Sequence, residues 1–224
     1  MSCILCDFEQ AERRTISGNP DFWQVHCERC GDYRLTQAAE EDILHDACPV
    51  KDQLHSLSAI TRRRTEDGQP PLLVDEHLIG DKKEFQENVV ALVPSDVESK
   101  TDAILRHVGK GSAHPGASVP FWADMDYPVG FCKNSEECSY YLRHLADAGL
   151  LVLEEPETLG EFPSKVSLTV EGWRKLETLR VPNVESSQAF VAMSFAKGFD
   201  VVFTDGIKPL EDVTGITMLR MDGR

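Results

Sequence analysis

Cys3, Cys6, Cys27 and Cys30 form two Cys-x-x-Cys pairs at the start of the chain, separated by the 20 residues from 7 to 26. That spacing constrains the fold more than any other feature, because it reads as a zinc ribbon. Two cysteines three apart on a tight turn aim both sulfurs at one ion. Two such turns complete a tetrahedral shell, with Zn–S bonds of about 2.3 Å. Gly31 follows the second pair, where a positive φ lets backbone N–H groups turn toward the sulfurs. The competing reading, a redox dithiol, requires a preceding strand and a helix opening within a βαβ unit, and nothing before residue 36 has that layout. His26 adjoins Cys27, but a matched cysteine quartet leaves it no role as a ligand. Four thiolates leave no open position for water, so the metal is expected to be structural rather than catalytic.

At 224 residues, 41% of them hydrophobic, the chain is long enough for one large domain or two to three small ones. No apolar run approaches the roughly 20 residues that span a bilayer. The N-terminus lacks the basic and apolar regions of a secretory leader, so a reducing cytoplasm is the expected location. Cys48, Cys132 and Cys138 remain, and buried free thiols are the expectation for them. The net charge of −15 and pI of about 4.8 argue against a protein that grips phosphate backbones, since such affinity rests on Lys and Arg. Arg62-Arg63-Arg64 is the one basic triplet, and it lies where a cationic last turn complements a helix dipole.

The fold class expected is a multidomain α+β chain. Residues 1–35 form the ribbon, with Phe22–His26 and Tyr33–Leu35 as strands. Residues 36–94 form a helical connector. There Thr36 caps a helix bearing Ala38, Ala39, Ile43 and Leu44 on one stripe, a second helix runs from about Val50, and a third covers about 75–88.

Residues 95–182 read as one unit. Ser95 or Asp96 caps a helix with Val97, Ala103, Ile104, Leu105 and Val108 inward, and a Gly/Pro/Ser-rich loop spans Gly109–Pro120. Asn134 caps the next helix with Glu137 in capping-box position, and Gly149 stops it. Leu150–Leu153 and Lys165–Thr169 make a hairpin, and Thr169 caps a last helix. Helix, glycine stop, hairpin and helix is the layout of a winged helix. Its wing carries Glu154, Glu155, Glu157 and Glu161, whereas a wing meant for a phosphate backbone is basic. A protein contact is therefore favoured over DNA. Asp124 and Asp126, in Trp122–Asp126, read as a solvated acidic pair.

After a linker at 181–187 the pattern changes. Ala189–Phe195 is a near-continuous apolar run, as in a buried parallel strand. Phe199, Val202, Phe203, Ile207 and Leu210 mark an amphipathic helix bent by Pro209. Gly215 ends that helix, and Ile216–Met221 reads as a second strand, giving one β-α-β unit over 187–224.

The blocks Phe190-Val191-Ala192-Met193-Ser194-Phe195, Gly206-Ile207-Lys208-Pro209 and Leu219-Arg220-Met221-Asp222 resemble the opening of nucleoside 2-deoxyribosyltransferase-like, TIR-like domains of prokaryotic proteins. Cys30–Thr36 and Leu168–Trp173 resemble the ribbon and winged helix that some of these proteins carry. The resemblance implies a small parallel sheet wrapped by helices, and a nucleoside or a nucleotide such as NAD as ligand. It also implies chemistry at an N-glycosidic bond, with a catalytic Glu from a later strand–helix junction. Ligands of open parallel sheets lie beyond the strands' carboxyl ends. That places Met193, Ser194 and Phe195 on the pocket floor and Asp222 at its wall. Ser194 would hydrogen-bond a ribose or base, and Phe195 would stack on it.

Glu211 does not correspond to the catalytic Glu, so no catalytic residue is assigned and the chain is expected to be part of a longer enzyme, inactive alone. The function expected is a zinc-stabilised regulatory or scaffolding portion of a nucleotide- or NAD-processing protein, in an anti-phage setting. A protein partner or a second copy is expected to cover its apolar strand. The alternatives are a zinc-ribbon, winged-helix transcriptional regulator and a protein–protein adaptor.

Overall fold

The computed structural model describes residues 1–16, 19–45, 47–154, 164–180, 188–191, 197–215 and 217–220. The chain is mixed α+β and divides into two compact units, 1–178 and 179–224. Met193, Ser194, Phe195 and Asp222, the linker at 181–187 and wing residues 155–163 lie outside the described residues.

The first unit opens with three antiparallel strands, β1 (Glu12–Ile16), β2 (Asn19–Cys27) and β3 (Gly31–Thr36). Along β3 Tyr33 and Leu35 are buried while Arg34 faces water, the period-two alternation of a half-buried sheet. The Thr36 hydroxyl accepts from Ala39 N–H and starts α1 (Gln37–Leu44). Only Ala39 and Ile43 of its expected stripe are buried, and Ala38 and Leu44 are exposed. A 3₁₀ turn at Lys51–Gln53 leads into α2 (Leu54–Glu66). The chain then returns as β4 (Leu72–Val74), which pairs in parallel with β3, Tyr33 beside Leu72 and Leu35 beside Val74.

The segment 36–94 therefore supplies the fourth strand of the ribbon's own sheet. It also shares its core: Leu5, Val25, Tyr33, Ile43, Leu57, Val74, Ile79 and Phe85 belong to one buried apolar cluster. The helix expected over about 75–88 is two, α3 (Glu76–Gly80) and α4 (Lys82–Asn88). The break is at Asp81, whose extended backbone and carboxylate, accepting from Lys83 and Glu84 N–H, start a new helix.

The chain continues through α5 (Val97–Gly111), β5 (Val119–Phe121), α6 (Ala123–Asp126), a 3₁₀ turn at Tyr127–Gly130, α7 (Ser135–Asp147), β6 (Leu151–Glu154), β7 (Ser164–Leu168) and α8 (Val170–Arg180). The three strands form an antiparallel sheet in the order β5-β7-β6. Asp96, Asn134 and Thr169 cap their helices by accepting from Ser99, Glu137 and Gly172 N–H. Gly149 stops α7 at φ +71°. Glu137 does not complete the capping box on Asn134, because its carboxylate accepts from Lys133 N–H and Lys100 instead.

Three expectations are corrected here. Residues 109–111 extend α5, and the strand Val119–Phe121 begins inside the stretch expected to be loop. Pro120 is tolerated because β5 is an edge strand. Val97, expected inward, is exposed. Asp126, expected to be solvated, is buried.

In the second unit β8 (Gln188–Val191) and β9 (Thr217–Arg220) pair in parallel, Ala189 beside Met218. The connection is not one bent helix. A π turn at Val202–Ile207, closed by Lys208 N–H on the Phe203 carbonyl at 2.8 Å, precedes α9 (Leu210–Thr214). Pro209, with no N–H to continue a ladder, sits between them. Gly215 ends α9 at φ +69°. Among the described residues no helix is long and apolar enough to cross a membrane.

Candidate metal centre

The sequence of each knuckle dictates a reversal of the chain around its sulfurs. In the first, Cys6 and Asp7 N–H both donate to the Cys3 carbonyl, and Cys3 N–H reaches Phe8. In the second, Cys30 N–H donates to the Cys27 sulfur at 3.4 Å. The residue after each pair is left-handed, Asp7 at φ +58° and Gly31 at φ +77°. Gly31 thus has the conformation read from sequence, and Asp7 repeats it without a glycine, in a conformation that Asp tolerates better than most residues.

These turns bring the four sulfurs within 4.8 Å of one another. The Cys3–Cys30 and Cys6–Cys27 sulfurs are each 3.7 Å apart. A tetrahedron with 2.3 Å Zn–S bonds has edges of about 3.8 Å, so the cage fits a zinc-sized tetrathiolate centre. Cys3, Cys27 and Cys30 have no exposed surface, and Cys6 is half-buried. His26 takes no part. It is exposed and pairs through Nδ1 with Asp32 at 2.7 Å.

A zinc ion held by four thiolates would carry a net charge of −2, and the surroundings suit such a charge. The Tyr33 hydroxyl lies 3.2 Å from the Cys3 sulfur, and the Ser58 hydroxyl lies 3.0 Å from that of Cys30. Burial, with the neighbouring Cys3 adding to it, pushes the Tyr33 phenol well above its ordinary pKa, so it stays a proton donor. Arg29 donates to the Cys6 carbonyl at 2.7 Å and lies over the Phe8 and Tyr127 rings. Burial alone would lower its pKa, but the nearby Cys6 and Tyr127 raise it. Its buried Nε has no hydrogen-bond partner. A partly buried guanidinium is costly when uncompensated, and an anionic tetrathiolate cluster beside it would provide the compensation.

Elements far along the chain grip the second knuckle. Thr65 Oγ1 accepts from Asp32 N–H at 2.7 Å. Arg62 donates to the carbonyls of Glu28 and Arg29, and pairs with Glu66 at 2.7 Å and Asp126 at 3.1 Å. Arg62 is therefore a bridge between the knuckle and residues 123–130, beyond any service to the helix dipole. Burial would raise the Glu66 carboxyl, but His107 and Arg62 hold it down at about 2. Ser58, Arg62 and Asp126 carried no pattern linking them to the cysteines. Ser58 and Arg62 read only as polar residues of an expected helix, and Asp126 only as a solvated acid.

Cys132 and Cys138 are buried thiols, as expected, whereas Cys48 is only half-buried. Cys132, beside Cys138, and burial push the Cys138 thiol far up. In the second unit Glu211 accepts from Met218 N–H at 2.7 Å, so it ties α9 to β9. The comparisons with known proteins returned no matching family model, no matching curated relative and no matching solved structure.

Proposed function

We propose that residues 1–178 are a zinc-stabilised regulatory or scaffolding body for a nucleotide- or NAD-handling domain that begins with the second unit. The observation that carries this reading is the parallel β8–β9 pair around a helical connection, in a unit separate from 1–178. Parallel pairing needs a crossover, and ligands of such sheets bind beyond the strands' carboxyl ends. Residues 192–196 and 221–224 follow those ends directly.

The metal holds shape and takes no part in chemistry, since its four positions are filled by thiolates. The order α5-β5-α6-α7-β6-β7 with sheet order β5-β7-β6 favours a winged-helix reading of residues 95–180, and so raises DNA binding as a second reading. Against it stand the chain's charge of −15 and the exposed face of α7, where Glu136 and Asp147 accompany Arg143.

Hydrogen exchange of the full chain with NAD and with deoxynucleosides tests the proposal. Slowed exchange confined to 188–224, with no base released, is expected. Turnover by this chain alone would overturn the scaffolding role. Retention of a specific duplex at low salt, falling steeply as salt rises, would replace it with a transcriptional regulator.

A further inference from the structure

The four sulfurs form two equally close pairs, 3.7 Å apart in each case, but the pairs differ in access and in side-chain hydroxyl donors, the Cys6–Cys27 pair receiving, among the described residues, only the Cys30 N–H on Cys27. Cys3 and Cys30 are both fully buried. Each has a side-chain hydroxyl aimed at its sulfur, Tyr33 on Cys3 and Ser58 on Cys30. Donated hydrogen bonds draw electron density from a thiolate and make it a poorer nucleophile. Cys6 is the half-buried member of the quartet. It lines a cleft of about 580 Å³ together with Ile43, Leu54, His55, Tyr127 and Lys133. Cys3 borders the same cleft but exposes nothing to it. A small polar oxidant therefore meets one sulfur of the four.

From this we infer that Cys6 is the site at which peroxides oxidise the centre, and that Cys27 resolves the product as a Cys6–Cys27 disulfide. The Cys6 thiolate attacks one peroxide oxygen, the O–O bond breaks and hydroxide leaves. Sulfur is oxidised to a sulfenic acid as the peroxide is reduced. The Cys27 thiolate then attacks that sulfur, the S–S bond forms, the S–O bond breaks and a second hydroxide leaves. The two hydroxides take two protons from the buffer, giving two molecules of water per disulfide. The cage keeps only Cys3 and Cys30, too few for a tetrahedral thiolate site, and the metal is released.

The inference rests on the zinc reading, so the zinc content of the full chain is measured first. A chain that takes up no zinc fails that reading, whereas a zinc-loaded chain can fail this one alone. Cys48, the half-buried free thiol, is removed as Cys48→Ser. The zinc-loaded variant is titrated with hydrogen peroxide while a colorimetric chelator reports released zinc and differential alkylation with mass spectrometry maps the disulfides. One zinc released per Cys6–Cys27 disulfide is expected, with Cys3 and Cys30 still reduced at the first equivalents and zinc binding restored by dithiothreitol. A first disulfide between Cys3 and Cys30, a mixed pair, or oxidation of Cys132 or Cys138 with zinc retained would overturn it.

Discussion

Two left-handed glycines separate what conformation requires from what packing requires. Gly31 (φ +77°) lies against α2, where an added Cβ would stand 2.3 Å from Thr65 Oγ1 and 3.1 Å from the Thr61 carbonyl. Gly68 (φ +66°) faces open space, with nothing within 4 Å of such a Cβ. Gly68→Ala is expected to cost about 1–2 kcal/mol, the price of a Cβ in the left-handed region. Gly31→Ala adds overpacking, itself about 1–3 kcal/mol, and displaces the Thr65 side chain that accepts from Asp32 N–H. Urea denaturation of the zinc-loaded variants measures both losses. Equal losses would mean that α2 yields freely and that the knuckle is not held against it.

Among the elements, Thr169 joins a hairpin to a helix. Its hydroxyl donates to the Gly149 carbonyl at 2.7 Å and accepts from Gly172 N–H at 2.9 Å. Gly172 permits this approach, since a Cβ there would fall 2.1 Å from the Leu150 carbonyl oxygen. Thr169→Val keeps the shape and loses both bonds, so a destabilisation of about 1–2 kcal/mol is expected in the same denaturation measurement. A neutral result would show that water replaces both partners.

Caps such as Thr36, Asn134 and Thr169, and the stops at Gly149 and Gly215, were legible because their chemistry is spent within a few residues. So was the clustering of the four cysteines, whose spacing is itself the signal. β4 was not legible as part of the ribbon sheet, because Leu72–Val74 acquires its meaning only beside Tyr33–Leu35. β5 was hidden because Val119–Phe121 lies in a stretch rich in Gly and Pro, and only edge position admits Pro120. Ser58 was missed at the site because it lies 28 residues beyond Cys30 and only the fold of α2 brings its hydroxyl to that sulfur.

At the scale of the molecule, the centre is built into the body of the first unit. Cys3, Cys27 and Cys30 belong to the same apolar cluster as Leu57, Ile79 and Phe85. Arg62 carries the connection on to Asp126. Structural zinc contributes about 10–16 kcal/mol in zinc-finger peptides, comparable with the roughly 5–15 kcal/mol that holds a whole domain folded. A separate ribbon would lose its own structure on chelation and leave the rest intact. In this arrangement four repelling thiolates would be left inside the shared core, with Arg29 as the nearest cation to offset them. Chelation of the full chain is therefore expected to raise hydrogen exchange in 54–66 and 121–131 as well as in 1–36, and to lower the melting temperature of the unit as one transition. Arg62→Met separates the two halves of the argument. It keeps all four ligands and one zinc per chain, but removes the bonds to Glu28, Arg29 and Asp126, so exchange should rise in 121–131 with the metal still bound. If chelation loosened 1–36 alone, the metal would be serving the ribbon by itself and the contacts of Arg62 would carry nothing between them.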